Sequence, residues 1–291
     1  MNMNRYAAFL KVVEVGSFTR AAEILGYTQP AMSQMIASLE NELSIKLLYR
    51  SRYGVRLTPE GERLLPSIQS SVAQYQSMQN IAGEIRGLDS GVVRIGTISS
   101  ISCHWLPPVI RQFWEKYPNV QLIVHQGDYT TIPEWVRTGE LDFGFVTPDA
   151  VEGTDSRFLK TGEHRACLPK DHPLANKSSV TLEELAKEPF LLLEEGIYSE
   201  PLAAFHAAGL EPIIRMTMHD DYSILSMVEQ GLGVTILPEL VLRKQSYNIV
   251  MLPTEPMVMR RISIITRDKN ELSIAAKTFI RYLIDHLNDL P

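Results

Sequence analysis

Apolar residues recur at helical spacing in the first third of the chain and at strand spacing in much of the rest. Tyr6, Phe9, Leu10 and Val13 share one face of a helix predicted over residues 2–15. Ala21, Ala22 and Leu25 line a second helix, which Ser17 caps and Gly26 ends. Met32, Ile36, Leu39 and Leu43 then fall four, three and four residues apart. They make the inner face of a third helix, with Thr28 as its N-cap and Pro30 in its first turn. Small alanines at the facing positions predict close packing of the second and third helices, joined by a sharp turn.

A short hairpin follows, with Val55 and Leu57 strand-like beyond a turn at Gly54. Thr58-Pro59 opens a long helix running to about Gly87. Its apolar positions are Leu65, Ile68, Val72, Tyr75, Met78, Ile81, Ile85 and Leu88, mostly three and four apart, while Gln69, Ser70, Ser71, Gln74 and Gln76 hold other faces. That is a seam for a partner helix, bent near its start by Pro66.

Past the break at Asp89-Ser90-Gly91 the pattern changes. Val92–Thr97, Val120–His125 and Leu141–Val146 read as strands, separated by a helix through about Tyr117 and another over Ile132–Thr138. Strand and helix alternating at this spacing predict a parallel α/β sheet, and ligands bind such sheets at the carboxyl ends of the strands. The pattern restarts near Thr161. Strands are predicted over Arg165–Leu168, Phe190–Leu193, Ile213–Met218 and Gly233–Leu237, with helices over Thr181–Ala186, Pro201–Ala208 and Tyr222–Gln230. Glu255–Thr266 covers a returning strand and Leu272–Leu287 a terminal helix.

Charge sharpens this division. The 291 residues carry a net charge of -6. Residues 1–59 hold seven basic and four acidic groups, a balance of +3 that leaves -9 on the rest. A basic head on an acidic body fits a nucleic-acid-binding module joined to one that avoids nucleic acid. Gln29, Ser33 and Gln34 occupy the outer face of the third helix near its start, where amide and hydroxyl groups meet base edges in a major groove. Arg50, Arg52 and Arg56 on the hairpin suit phosphates or a minor groove. In the body, Thr97, Ser99 and Ser100 lie between a strand and a helix N-terminus, and Thr147 ends a strand.

These positions are in register with a known family. Phe9, Val12, Gly16-Ser-Phe18, Ala21-Ala22, Leu25, Thr28-Gln-Pro-Ala31, Ser33, Ile36, Leu39-Glu40, Leu43, Leu47, Arg50, Val55-Arg-Leu-Thr58 and Gly61 resemble the head of LysR-type transcriptional regulators. Met35 departs from the family, which often has a polar residue there. Looser landmarks (Pro118-x-Val120, Gly139-Glu-Leu-Asp142, His172-Pro-Leu174 and Gly231-Leu-Gly-Val234) extend the resemblance over nearly the whole chain.

The resemblance implies an α/β protein: a winged helix-turn-helix at 1–59, a linker and dimerisation helix at 60–89, and a two-lobed periplasmic-binding-protein-like effector domain at 90–291. Lobe I would hold about 91–160 and 267–291, and lobe II about 161–266. Thr28, Gln29, Pro30, Ser33, Gln34, Arg50, Arg52 and Arg56 would touch double-stranded DNA at a dyad-symmetric promoter site. Ser99, Ser100, Thr147, Gly196, Ile197 and Tyr198 would touch a small effector between the lobes, and His219-Asp-Asp-Tyr222 would reach the same cleft. Glu194, Glu195, Asp220 and Asp221 there are read mainly as solvated or as caps of the helix that follows, and secondarily as disfavouring a simple carboxylate effector. Family members form dimers and usually tetramers and bend promoter DNA, with RNA polymerase a further candidate partner. Effector closure would shift that bend.

Other chemistries find little support. Cys103 and Cys167 are too few and too far apart for a metal or disulfide framework, and suit a reducing cytoplasm. Neither a signal peptide nor a membrane-length apolar run is read from the sequence, and no cofactor is expected. Asp142-Phe-Gly144 matches a kinase triplet without its companions, and no hydrolase, zinc-protease or phosphate-loop motif occurs, so an enzyme is not expected. The competing reading is a small-molecule binding protein without a regulatory DNA function. The basic head with its Gln29, Ser33 and Gln34 face speaks against it.

Overall fold

The computed structural model describes every residue except 1–2, 52–53, 86–90, 152, 244–245 and 268–271, and describes 50, 51, 76, 77 and 80–85 by their backbone alone. The chain divides into two compact units, a head of Met1–Gly87 with Arg137–Glu140, and a body formed by Leu88–Val136 and Leu141–Pro291.

In the head, α1 (Met3–Val15), α2 (Phe18–Leu25) and α3 (Gln29–Leu43) precede a hairpin of β1 (Leu48–Ser51) and β2 (Gly54–Leu57), and α4 (Pro59–Ile85) closes it. The cap chemistry is as expected. Ser17 accepts from the Arg20 N–H, Gly26 ends α2 with a left-handed φ of 72°, and Thr28 accepts from the Ala31 N–H. Phe9, Val12, Ala21, Met32, Ile36 and Leu39 are fully enclosed in one core. Glu40 is buried at the foot of α3, where its Oε1 accepts from the Leu47 N–H at 2.9 Å and the Leu48 N–H at 3.2 Å. Lys46 Nζ reaches its Oε2 at 2.7 Å. Burial pushes this carboxyl up, but Lys46 and the two N–H groups outweigh burial and hold it below the usual range. Glu40 thereby ties the start of the hairpin to the end of α3.

Thr58 caps α4 by accepting from the Gly61 N–H at 2.9 Å. Gly61 approaches the backbone so closely that an added Cβ would lie 2.3 Å from Leu47 O, so only glycine fits without a shift. The predicted seam of α4 divides in two. Leu65, Ile68 and Val72 pack on the head core, while Tyr75 and Met78 are exposed. The side chains of Ile81 and Ile85, and Leu88 as a whole, lie outside the described residues.

The body begins with β3 (Gly91–Thr97), α5 (Ser99–His104), α6 (Leu106–Lys116), β4 (Val120–Gln126), α7 (Thr131–Thr138) and β5 (Phe143–Val146). The single helix expected up to Tyr117 is thus two, broken at Trp105, whose carbonyl side leads into Pro107-Pro108. β6 (Ser156–Pro169) follows, then β7 (Val180–Thr181), α8 (Leu182–Ala186), β8 (Pro189–Leu193), α9 (Glu200–Ala207), β9 (Ile213–Met218) and α10 (Asp221–Glu229). The chain returns through β10 (Thr235–Pro238), β11 (Ile249–Glu255) and β12 (Met259–Thr266) to α11 (Ile274–Asp285).

The main sheet runs β4-β3-β5-β12-β6-β11-β7, with β10 also paired to β6. β3 is parallel to β4 and β5, but β12 runs antiparallel to β5 and β6, so the sheet is mixed rather than purely parallel. β6 serves both lobes. Its first half, to Glu163, pairs with β12, and its second half, from His164, pairs with β10 and β11. The expected returning strand Glu255–Thr266 is interrupted at Pro256, which has no N–H for a ladder. β12 beyond it joins lobe I, because Ile262, Ile264 and Ile265 bury into the lobe I core with Phe143, Phe145 and Phe279. The lobe I sheet therefore takes in Met259–Thr266, where the sequence pattern alone assigns them to lobe II. Parallel β8 and β9 complete lobe II.

Candidate functional site

Two surfaces carry polar chemistry. On the head, Thr28, Gln29, Pro30 and Gln34 are exposed and Ser33 is half-buried, all near the start of α3. Gln29 Nε2 donates to Ser33 Oγ at 3.0 Å, which aligns the two side chains on one stripe. Met35 packs against the core, so its apolar side chain is a packing choice and does not interrupt the polar stripe. Arg56 is exposed on β2, opposite Tyr49. Arg50 lies on β1 opposite Val55, with its side chain outside the described residues, and Arg52 lies outside them entirely.

In the body, a cavity of about 260 Å³ opens between the lobes. Ile98, Ser99, Gln126, Gly127 and Asp128 line it from lobe I, and Leu193, Glu194, Glu195, His219 and Asp221 from lobe II. It sits beyond the carboxyl ends of β3, β4, β8 and β9, where open α/β sheets place ligands. Ser99 Oγ donates to Asp221 Oδ2 across the cleft.

Beside the cavity Arg260, at the start of β12, is 2% exposed. Its Nη2 donates to Glu195 Oε1 at 3.0 Å and to Tyr129 Oη at 2.7 Å, and its Nη1 donates to Ser100 Oγ at 3.1 Å. Glu200 Oε1 lies 4.0 Å from Arg260 Nε and accepts from Tyr129 Oη at 3.4 Å. One guanidinium thus faces three buried or half-buried carboxyls, counting Asp221. Burial, ahead of the neighbouring carboxylates, pushes Glu195 up to about 8 despite Arg260, and raises Glu200 and Asp221 as well. His164, where β6 changes lobe, is enclosed, and both ring nitrogens lack a side-chain partner. Burial and then Arg260 lower it to about 3, so it is neutral.

Of the residues singled out for the cleft, Ser99 lines the cavity, while Ser100 is buried behind it and accepts from Arg260. Thr147 is fully enclosed and does not line the cavity. Gly196 and Ile197 form a bridge between lobes instead. The Ile197 N–H donates to Thr130 Oγ1 at 2.8 Å, and the Tyr129 N–H to Glu195 O at 2.8 Å. A Cβ on Gly196 would stand 2.6 Å from Thr130 Oγ1, and its φ of 87° also demands glycine. Tyr198 packs against the lobe I core. Arg260, Tyr129, Glu200 and His164 were not legible in advance, since nothing local marks them. Asp142 accepts from the Arg94 N–H at 2.7 Å, which gives the Asp142-Phe-Gly144 triplet a structural role.

Among the described residues, no group of three or more His, Cys, Asp or Glu side chains is placed to hold a metal ion, and no helix is long and apolar enough to cross a membrane.

A helix-turn-helix head carried on a two-lobed α/β body with a polar interlobe cavity defines a ligand-responsive regulator by class. Residues 3–62 match the bacterial regulatory helix-turn-helix proteins of the lysR family, and residues 86–288 match the LysR substrate binding domain. The chain belongs to the LysR family of transcriptional regulators. It is 32% identical over 283 residues to the uncharacterized HTH-type transcriptional regulator YvbU of Bacillus subtilis strain 168, covering 96% of this chain and 97% of that protein. It is 30% identical over 296 residues to the transcriptional dual regulator GltC of the same organism, covering 100% and 99%. A full-length OxyR variant from Pseudomonas aeruginosa superposes with a TM-score of 0.71 at 26% identity, covering 99% of this chain and 95% of that one.

Proposed function

We propose that this chain binds a dyad-symmetric promoter site as a dimer and that a small effector in the interlobe cavity changes that binding. The observation that carries the reading is the stripe of Gln29, Ser33 and Gln34 at the exposed start of α3, held by a capped helix pair. Gln pairs with adenine at two points and Ser with several acceptors, and a short polar stripe at a helix N-terminus is what a major groove admits. Arg56, with Arg50 and Arg52 on the same hairpin, supplies phosphate contacts that fix register. Exposed Tyr75 and Met78 on α4 leave part of its apolar seam for a second copy, which would set two reading helices on one dyad. Ser99 and Ser100, linked to Asp221 and Arg260, connect the cavity to both lobes. A ligand that favours one lobe arrangement shifts the population by its difference in affinity.

The test is fluorescence anisotropy on the duplex just upstream of the protein's own gene, against a scrambled duplex, over a range of salt. Tight binding to the first alone, weakening steeply with salt, supports the reading. Equal weak binding to both, followed by no preferred sequence in a selection from genomic fragments, would leave a ligand-binding protein without a DNA role.

A further inference from the structure

The interlobe cavity has an unusual charge for a site between helix N-termini. Four carboxylates, Asp128, Glu194, Glu195 and Asp221, stand in its wall, and no lysine or arginine does among the described residues. The one titratable base there is His219, whose Nε2 lies 3.7 Å from Glu194 Oε2.

The protein's own carboxylates already hold the features that would attract an anion. At the start of α7, Asp128 Oδ1 accepts from the Thr130 and Thr131 N–H groups, both at 2.8 Å. At the start of α10, Asp220 Oδ1 accepts from the Ser223 N–H at 2.6 Å. The Ser99 hydroxyl is taken by Asp221. Arg260, the one buried lysine or arginine among the described residues, is taken by Glu195, Tyr129 and Ser100. What remains are carboxyls in excess of cations: Arg260 is the one guanidinium beside Glu195 and Glu200, and burial raises Glu195, Glu200 and Asp221 alike, so these groups hold protons where no further cation stands. Buried carboxylates are stable when something positive stands beside them. The cavity wall supplies four carboxyls and, among its described residues, no lysine or arginine to match them.

We infer that the effector of this cavity is a small organic ammonium compound, its cationic nitrogen held by Glu195 and Asp221 with Glu194 at the rim. The inference rests on the reading of the cleft as the effector site. A cavity of about 260 Å³ has room for a molecule the size of a diamine or an amino acid. A bare divalent metal is disfavoured, because no three ligating side chains converge among the described residues. An ammonium group has three donors and needs no preset coordination geometry. It would also keep Glu195 ionised, and so would release a proton on binding.

Calorimetric titration and thermal unfolding of the full-length protein test this, with 1,4-diaminobutane and L-lysine as cationic probes and glutarate as the anionic one. Saturable binding of a cationic probe is expected, with proton release read from buffers of different ionisation enthalpy. Glu195→Gln and Asp221→Asn should each weaken it about tenfold or more, the worth of a charge-assisted hydrogen bond. Glu194→Gln removes an exposed charge that supports no buried contact, and should weaken binding several-fold in a fully folded protein. Glutarate binding that is lost in the cavity-filling Ser99→Trp, with no response to either amine, would overturn the ammonium class and spare the cleft. Amine binding that survives both Glu195→Gln and Asp221→Asn would overturn the site. If neither amine binds, and no compound of a metabolite library binds in a way that Ser99→Trp abolishes, the cleft reading fails with the inference.

Discussion

Arg260 Nη2 lies 3.0 Å from Glu195 Oε1, and this pair joins β12 of lobe I to the loop that follows β8 in lobe II. Both side chains are withdrawn from water, at 3% and 13% exposure. Removing one member of a buried pair strands the other. Above pH 8, where Glu195 is ionised, Arg260→Met should therefore destabilise the body by about 3–5 kcal/mol, and by less near pH 7, read as a lower urea midpoint with an unchanged slope. A loss under about 1 kcal/mol would show that the pair is not carried in the folded protein.

The same cluster gives stability a distinctive dependence on pH. Burial raises Glu195 to about 8, from about 4.3 for a free glutamate. Between those values the folded state binds the extra proton, so stability falls as pH rises through that window. His164 acts in the opposite sense. Lowered to about 3 from about 6.5, it is protonated first in the unfolded chain, so stability falls as pH drops below about 6.5. Above pH 7 His164 is neutral in both states, and of these two groups only Glu195 still titrates. Glu195→Gln should flatten the decline from pH 7 to 8, and His164→Phe should flatten the acid limb alone. Thermal melts across pH 4–9 separate the two.

Glu40 should matter to DNA without touching it. Glu40→Ala leaves the buried Leu47 and Leu48 N–H groups without an acceptor. Each orphaned group costs about 1–3 kcal/mol. The head should melt earlier and the hairpin should lose its fixed position, weakening binding to every duplex by a similar factor.

For the reading helix, Gln29→Ala should cost about 1–3 kcal/mol on the cognate duplex and relax preference at one base pair. Arg56→Ala should weaken cognate and scrambled duplexes alike and reduce the salt slope by about one. A Gln29→Ala protein with unchanged affinity and preference would move the base contacts off this helix. Anisotropy with single-base-pair variants of the site distinguishes these outcomes.

The head was legible in the chain because its rules are local. Ser17, Gly26, Thr28 and Thr58 act on backbone groups within a few residues, and the spacing of Met32, Ile36 and Leu39 selects the buried face without help from afar. Strand and helix alternation likewise marked the body, and Asp220, read as a cap of the helix that follows it, accepts from the Ser223 N–H at the start of α10. What tertiary structure alone decided was who stands beside whom. Arg260 meets Glu195, Tyr129 and Ser100 across 65, 131 and 160 residues of chain, and no periodicity or cap reports such a meeting. Pairing also placed β12 in lobe I, since a strand's sheet is set by the apolar face it can bury, and the partner for that face comes from elsewhere in the chain. Burial did the rest: the charge states of Glu195 and His164 follow from the water that the closed fold excludes, a property no residue has until its neighbours are in place.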